Sequence, residues 1–106
     1  MAVYGYARTA RDSPINEKIQ RWHIEHWAAA QGQIITGTFA DLGVSGLSTP
    51  QKRPGFSALL ARLEPADKLV IFEFDRLSRD RNDLLTLLDR LNDLSVSIFL
   101  ASSDDV

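Results

Sequence analysis

The feature that most constrains this fold is Leu69-Val70-Ile71-Phe72, an unbroken apolar run inside the segment Lys68 to Phe74. A strand with one wet face alternates apolar and polar residues, so a continuous run reads as a strand covered on both faces. Such a strand belongs inside a parallel sheet and needs helices above and below it. Val3-Tyr4-Gly5-Tyr6-Ala7 reads as a first strand, Ile34 to Phe39 as a second and Val96 to Leu100 as a fourth. Between them, Ser13-Pro14 has the form of a helix start, with serine at the N-cap and proline in the first turn. Ile15, Ile19, Trp22 and His26 recur at spacings of three and four, which predicts a helix from Pro14 to Gln31 stopped by Gly32. Phe56, Leu59, Leu60 and Leu63 mark a short helix ending before Pro65, and Leu84, Leu85, Leu87, Leu88, Leu91 and Leu94 mark a third. The order β-α-β-α-β-α-β predicts an α/β domain: a mainly parallel four-stranded sheet with right-handed crossovers and helices on both faces.

The 106 residues suffice for one domain (1–106) and not for two. Cysteine is absent, which excludes disulfides, thiolate metal sites and a cysteine nucleophile. No apolar run approaches the roughly 20 residues that span a bilayer, and the start lacks the pattern of a signal peptide. A cytoplasmic protein without membrane contact is therefore expected. Twelve Lys and Arg face fourteen Asp and Glu, a net charge of −2. Because phosphate neutralisation supplies most non-specific affinity for DNA, this chain alone should bind DNA weakly. Only Lys18, Lys52 and Lys68 among the basic residues are lysine, and arginine is the better bidentate partner for phosphate. The chain ends at Ser103-Asp104-Asp105-Val106, just past the last strand, and reads as a fragment.

Open parallel sheets place their sites beyond the carboxyl ends of the strands. Arg8-Thr9-Ala10-Arg11-Asp12 follows the first strand; Asp41 to Lys52, a twelve-residue segment rich in Gly, Ser and Thr, follows the second and leads to Arg53. Asp75-Arg76-Leu77-Ser78-Arg79-Asp80 follows the third strand, and Ser102-Ser103-Asp104 the fourth. Arg8, Arg53, Arg76 and Arg79 can thus converge from three segments, and like charges gather only where an anion offsets their repulsion. A phosphate fits the paired donors of a guanidinium. Arg76 and Arg79, three apart, share a face if the helix has already begun. Asp75 orients a guanidinium, carries a proton or simply caps the following helix. His23 and His26 lack the further ligands a metal needs; Trp22 and Trp27 read as packing residues, and Ser13 as a cap before a nucleophile.

These motifs resemble the small serine recombinases, the resolvase and invertase family. Tyr4-Gly5-Tyr6-Ala7-Arg8 is similar to the family's opening strand, and Gln20 to a glutamine common in its first helix. Asp41-Leu42-Gly43-Val44-Ser45-Gly46 with Arg53-Pro54-Gly55-Phe56 resembles its loop and next helix, and Phe74-Asp75-Arg76-Leu77-Ser78-Arg79 its Asp-Arg-Leu-x-Arg signature. The resemblance implies DNA strand cleavage and exchange in site-specific recombination. A serine attacks the phosphodiester and forms a 5′-phosphoserine link, without metal or nucleotide cofactor, within a dimer or tetramer of identical subunits. It implies that Arg8, Arg53, Arg76 and Arg79 stabilise charge on the phosphate, with Ser45 beside them on the phosphate-binding loop, and that Asp75 positions that network or moves a proton.

The nucleophile falls at Ala10, which has no hydroxyl, so no covalent intermediate can form there. Thr9 is one residue away and points to the opposite face of an extended segment; Ser13 would need the loop rebuilt. Family members continue into a long helix for dimer contact and a helix-turn-helix, neither of which is in this sequence. The alternatives are an inactive regulatory or oligomerisation module and a phosphate-binding α/β module. A Walker loop, a dinucleotide fingerprint and the acidic pair of a receiver domain are all missing after the first strand.

Overall fold

A computed structural model describes residues 1–102. Four strands, β1 (Val3–Thr9), β2 (Gly37–Leu42), β3 (Lys68–Ile71) and β4 (Ser97–Leu100), form one sheet in the order β2-β1-β3-β4. All three pairings are parallel, as the apolar run required. Leu69, Val70 and Ile71 of β3 are fully buried, and all of β1 is buried. Helix α1 (Pro14–Ala30) covers one face, where Ile24 packs with Val3 and Val70. Helices α2 (Pro54–Leu60) and α3 (Arg81–Asp93) cover the other, where Phe56, Leu59, Leu87 and Leu91 meet Tyr4, Tyr6, Leu69 and Ile71.

The capping signals hold. The Asn16 N–H donates to Ser13 Oγ at 3.3 Å, Pro14 opens the first turn, and Gly32 ends α1 at φ +67°, a left-handed conformation that favours glycine. The cap of α3 is Asp80, whose Oδ1 accepts from the Asp83 N–H at 3.0 Å; Asp75 caps nothing.

Four expectations are corrected. Strand β2 lies three residues later than Ile34 to Phe39. Its pairing with β1 starts at Tyr4 opposite Gly37 and ends at Thr9 opposite Leu42, leaving Ile34 exposed. The β-branched pair Ile34-Ile35 misled because pairing and burial decide strand register more than propensity does. Strand β3 stops at Ile71, and Phe74–Arg76 forms a 3₁₀ turn before α3 begins at Arg81. Arg76 and Arg79 therefore do not share a helix face. Finally, α1 turns Gln20, Ile24 and Ala28 to the sheet, so the stripe Ile15, Ile19, Trp22 faces outward; of the tryptophans only Trp27 packs, against Phe99.

Candidate functional site

The chain passes from β1 to β2 on one side of β1 and returns to β3 on the other. The crevice beyond the carboxyl ends of β1 and β3 is thus the switch point where open α/β sheets carry their sites. Arg8 sits there near the end of β1. Its Nη1 donates to the Val44 carbonyl at 2.7 Å and its Nη2 to the Asp75 carbonyl at 3.0 Å. The Gln20 amide holds the same residue from below, accepting from the Arg8 N–H at 3.2 Å and donating to the Arg8 carbonyl at 2.9 Å. That paired bond fixes the end of β1 to α1.

Arg53 precedes α2 and reaches back under the loop after β2. Its Nε donates to Ser48 Oγ at 3.1 Å, its Nη2 to the Ser48 carbonyl at 2.9 Å and its Nη1 to the Arg76 carbonyl at 3.1 Å. Buried carbonyls need donors, and residues 43–49 form no regular structure that supplies them. Arg8 and Arg53 supply them instead. The segment expected as a loop from Asp41 to Lys52 is shorter in consequence, since β2 runs to Leu42 and Pro50–Lys52 is a 3₁₀ turn.

The two remaining arginines lie outside this frame. Arg76 is partly exposed, with Nη1 3.5 Å from the Arg8 carbonyl and Nε 3.5 Å from Asp75 Oδ1. Arg79 is exposed, and its Cγ and Cδ pass Gly46 on the side where Arg8 Nη2 also lies. The four expected arginines do gather around one loop, but Arg8 and Arg53 are 1% and 2% exposed while Arg76 and Arg79 form the rim. Burial, then Arg53 and Arg76, holds the Arg8 guanidinium below the usual arginine range. Arg8 Nε, Arg76 Nε and Asp75 Oδ1 are buried without a hydrogen-bond partner, and such atoms are costly to leave unpaired.

Ala10 is exposed and lines a groove of about 450 Å³ with Thr9, Ser13, Gln20, Phe72 and Arg76. Thr9 is 3% exposed, its hydroxyl donating to the Arg11 carbonyl at 2.5 Å, and Ser13 Oγ is occupied as the cap. Ser45 is exposed, its Oγ accepting from the Leu47 N–H at 3.1 Å. Of the segment Ser102-Ser103-Asp104, only Ser102 is among the described residues; its N–H donates to the Phe72 carbonyl at 3.1 Å.

Sequence reasoning assigned no role to Tyr6 or Asp41. Asp41 Oδ1 and Oδ2 accept from the Gly55 and Phe56 N–H groups at 2.7 and 2.9 Å, and the Tyr6 hydroxyl donates to Oδ2 at 2.7 Å. One buried carboxylate therefore ties β1, β2 and α2 together beneath Arg53. Burial pushes the Tyr6 phenol well above its ordinary value; Asp41 adds to the shift and Arg53 opposes it. The signal was present: period-two alternation from Phe39 places Asp41 on the same side of β2.

Comparison with known proteins agrees with this geometry. The Resolvase, N terminal domain family matches residues 3–106. Serine recombinase PinR of Escherichia coli (strain K12) is 33% identical over 96 residues, which cover 91% of this chain and 47% of that protein. The transposon Tn2501 resolvase of Escherichia coli is 33% identical over 89 residues, covering 84% and 44%. The chain thus spans about half the length of the curated relatives it matches. Among solved structures, the N-terminal catalytic domain of TP901-1 integrase superposes with a TM-score of 0.83 at 21% identity, over 96% of this chain and 79% of that one. The chain belongs to the resolvase family of serine recombinases, through the domain that family carries at its N-terminus.

Proposed function

We propose that this chain is the catalytic domain of a DNA site-specific recombinase, with its phosphate-binding machinery kept and its nucleophile position occupied by Ala10. The observation that carries this reading is the exposed Ala10 methyl in the same groove as Arg76, above a guanidinium cluster fixed by backbone carbonyls. In a serine-bearing form, a hydroxyl at position 10 attacks phosphorus. A P–O bond forms to the protein, the bond to the 3′ oxygen breaks, and a proton passes to that oxygen. Arg76 and Arg79 receive the phosphate oxygens; Arg8 and Arg53 hold the loop and Arg76 in place, and their charge adds to the field. Asp75, 3.5 Å from Arg76 Nε, orients that guanidinium or carries the proton. Guanidinium groups alone stabilise the phosphate in this reading, without a metal or cofactor. Ser45 lies on the loop beside the rim.

With alanine at position 10 the chain binds the scissile phosphate and does not cleave it. The same residue supports a second reading, a regulatory or oligomerisation module that keeps the fold without chemistry. Ala10→Ser in the chain with its native continuation, incubated with crossover DNA, is expected to give a protein–DNA adduct that survives denaturation. Free DNA ends with no attached protein would count against the assignment. Phosphate binding separates the second reading, because an interaction-only module is indifferent to Arg76→Ala.

A further inference from the structure

Helix α1 carries two apolar stripes, and the sheet covers one of them. Ile24 and Ala28 are buried, whereas Ile15, Ile19 and Trp22 are 72%, 51% and 53% exposed. At 3.6 residues per turn this second stripe lies about half a turn away from the first. With Lys18 it lines a shallow groove of about 380 Å³, and His26 extends it by stacking on Trp22 at 3.6 Å. Outward-facing apolar residues grouped in this way mark interaction surfaces, whereas scattered ones do not.

The spacing and the charges say what covers it. Positions 15, 19, 22 and 26 are separated by four, three and four residues, the narrow seam of a paired helix rather than the broad face of a helix on a sheet. Lys18 and Glu25 flank the seam on one side, seven residues apart. Neither has an ionic partner among the described residues. If a second α1 runs antiparallel so that Ile19 of one copy meets Trp22 of the other, Ile15 meets His26 and Lys18 falls within a turn of Glu25 of the other copy. The twofold axis repeats that ion pair, so the surface is self-complementary in shape and charge. A single-sign partner such as DNA would meet one favourable and one unfavourable charge.

We infer that the outward face of α1 docks onto the same face of a second copy of this chain, antiparallel, through Ile15, Ile19 and Trp22 and two Lys18–Glu25 pairs. Ile19 borders both this face and the groove at Ala10, but the two charges that the test exchanges, Lys18 and Glu25, do not line that groove. A helix of 17 residues is about 25 Å long, too small for a permanent interface, so the dimer is reversible and concentration-dependent.

Charge exchange tests it by sedimentation equilibrium of the whole chain. Lys18→Glu and Glu25→Lys each place two like-charge contacts across the axis and should weaken dimerisation about tenfold. An equimolar mixture of the two variants restores both pairs and should recover dimerisation to about the parent level, while Trp22→Glu should abolish it. Lys18 and Glu25 are exposed and all four residues involved are good helix formers, so the charge variants keep the fold. A chain that stays monomeric at millimolar concentration overturns the inference. So does a dimer indifferent to either swap, or a mixture no stronger than its components, which would show that another surface pairs.

Discussion

The buried and the rim arginines of this site are the same residue type with different work. Arg8 and Arg53 are almost wholly enclosed, and each donates to carbonyls of loops that have no other regular partner. Arg76 and Arg79 stand at the edge of the groove, and the ion pair with Asp75 is loose at 3.5 Å. Placing a cation in the interior is costly, so a buried guanidinium persists only when its donors are matched. The comparison teaches that a charge cluster read from sequence divides by burial into an enclosed frame and an open edge. Removing a frame arginine should cost stability; removing a rim arginine should cost ligand binding.

The largest break in that comparison is Arg53→Leu. It leaves the Ser48 and Arg76 carbonyls without their donors, and a loss of about 3–4 kcal/mol is expected in urea unfolding. Arg53→Lys should recover little of it, because an ammonium cannot span Ser48, Gly46 and Arg76 at once. Next comes Asp41→Ala, which unpairs the Gly55 and Phe56 N–H groups and the Tyr6 hydroxyl and should cost about 2–3 kcal/mol. Tyr6→Phe removes the bond to Asp41 and the longer one from Arg53 Nη1 at 3.4 Å, and should cost about 1–1.5 kcal/mol at neutral pH.

That variant also isolates a pH effect. The folded state holds the Tyr6 phenol neutral past its ordinary pKa of 10.0, so its contribution is fully present below pH 10 and is lost as pH rises beyond it. Stability of the parent should fall more steeply above pH 10 than that of Tyr6→Phe. Equal slopes would show that the phenol is not held in the interior. The smallest stability effects belong to the rim. Arg76→Ala and Arg79→Ala should stay within about 0.5 kcal/mol of the parent, yet weaken phosphate binding, Arg76 more than Arg79 because it lines the groove beside Ala10.

Much of this arrangement was legible in the chain. The apolar run at Leu69-Val70-Ile71 located an interior parallel strand, and Ser13-Pro14 with Gly32 bracketed α1. The convergence of Arg8, Arg53, Arg76 and Arg79 also followed from strand order. Their division by burial did not, because it depends on which carbonyls the loop after β2 leaves open, a tertiary property. The buried face of α1 is hidden from the sequence for a related reason. Ile15, Ile19 and Trp22 have perfect helical spacing, and nothing in local periodicity says whether a stripe meets its own sheet or something outside. Ile34-Ile35 draw the expected strand toward the N-terminus and put Asp41 in a loop, whereas the register of β2 with β1 places it on the strand.

The central claim is best tested by following the Nη–H resonances of the four arginine guanidinium groups by NMR while inorganic phosphate is added, with hydrogen exchange measured on the same sample. The account predicts that Arg76 and Arg79 exchange fast and shift with phosphate, whereas Arg8 and Arg53 exchange slowly and move little. Fast exchange and large phosphate shifts at Arg8 and Arg53, with Arg76 and Arg79 unmoved, would contradict it.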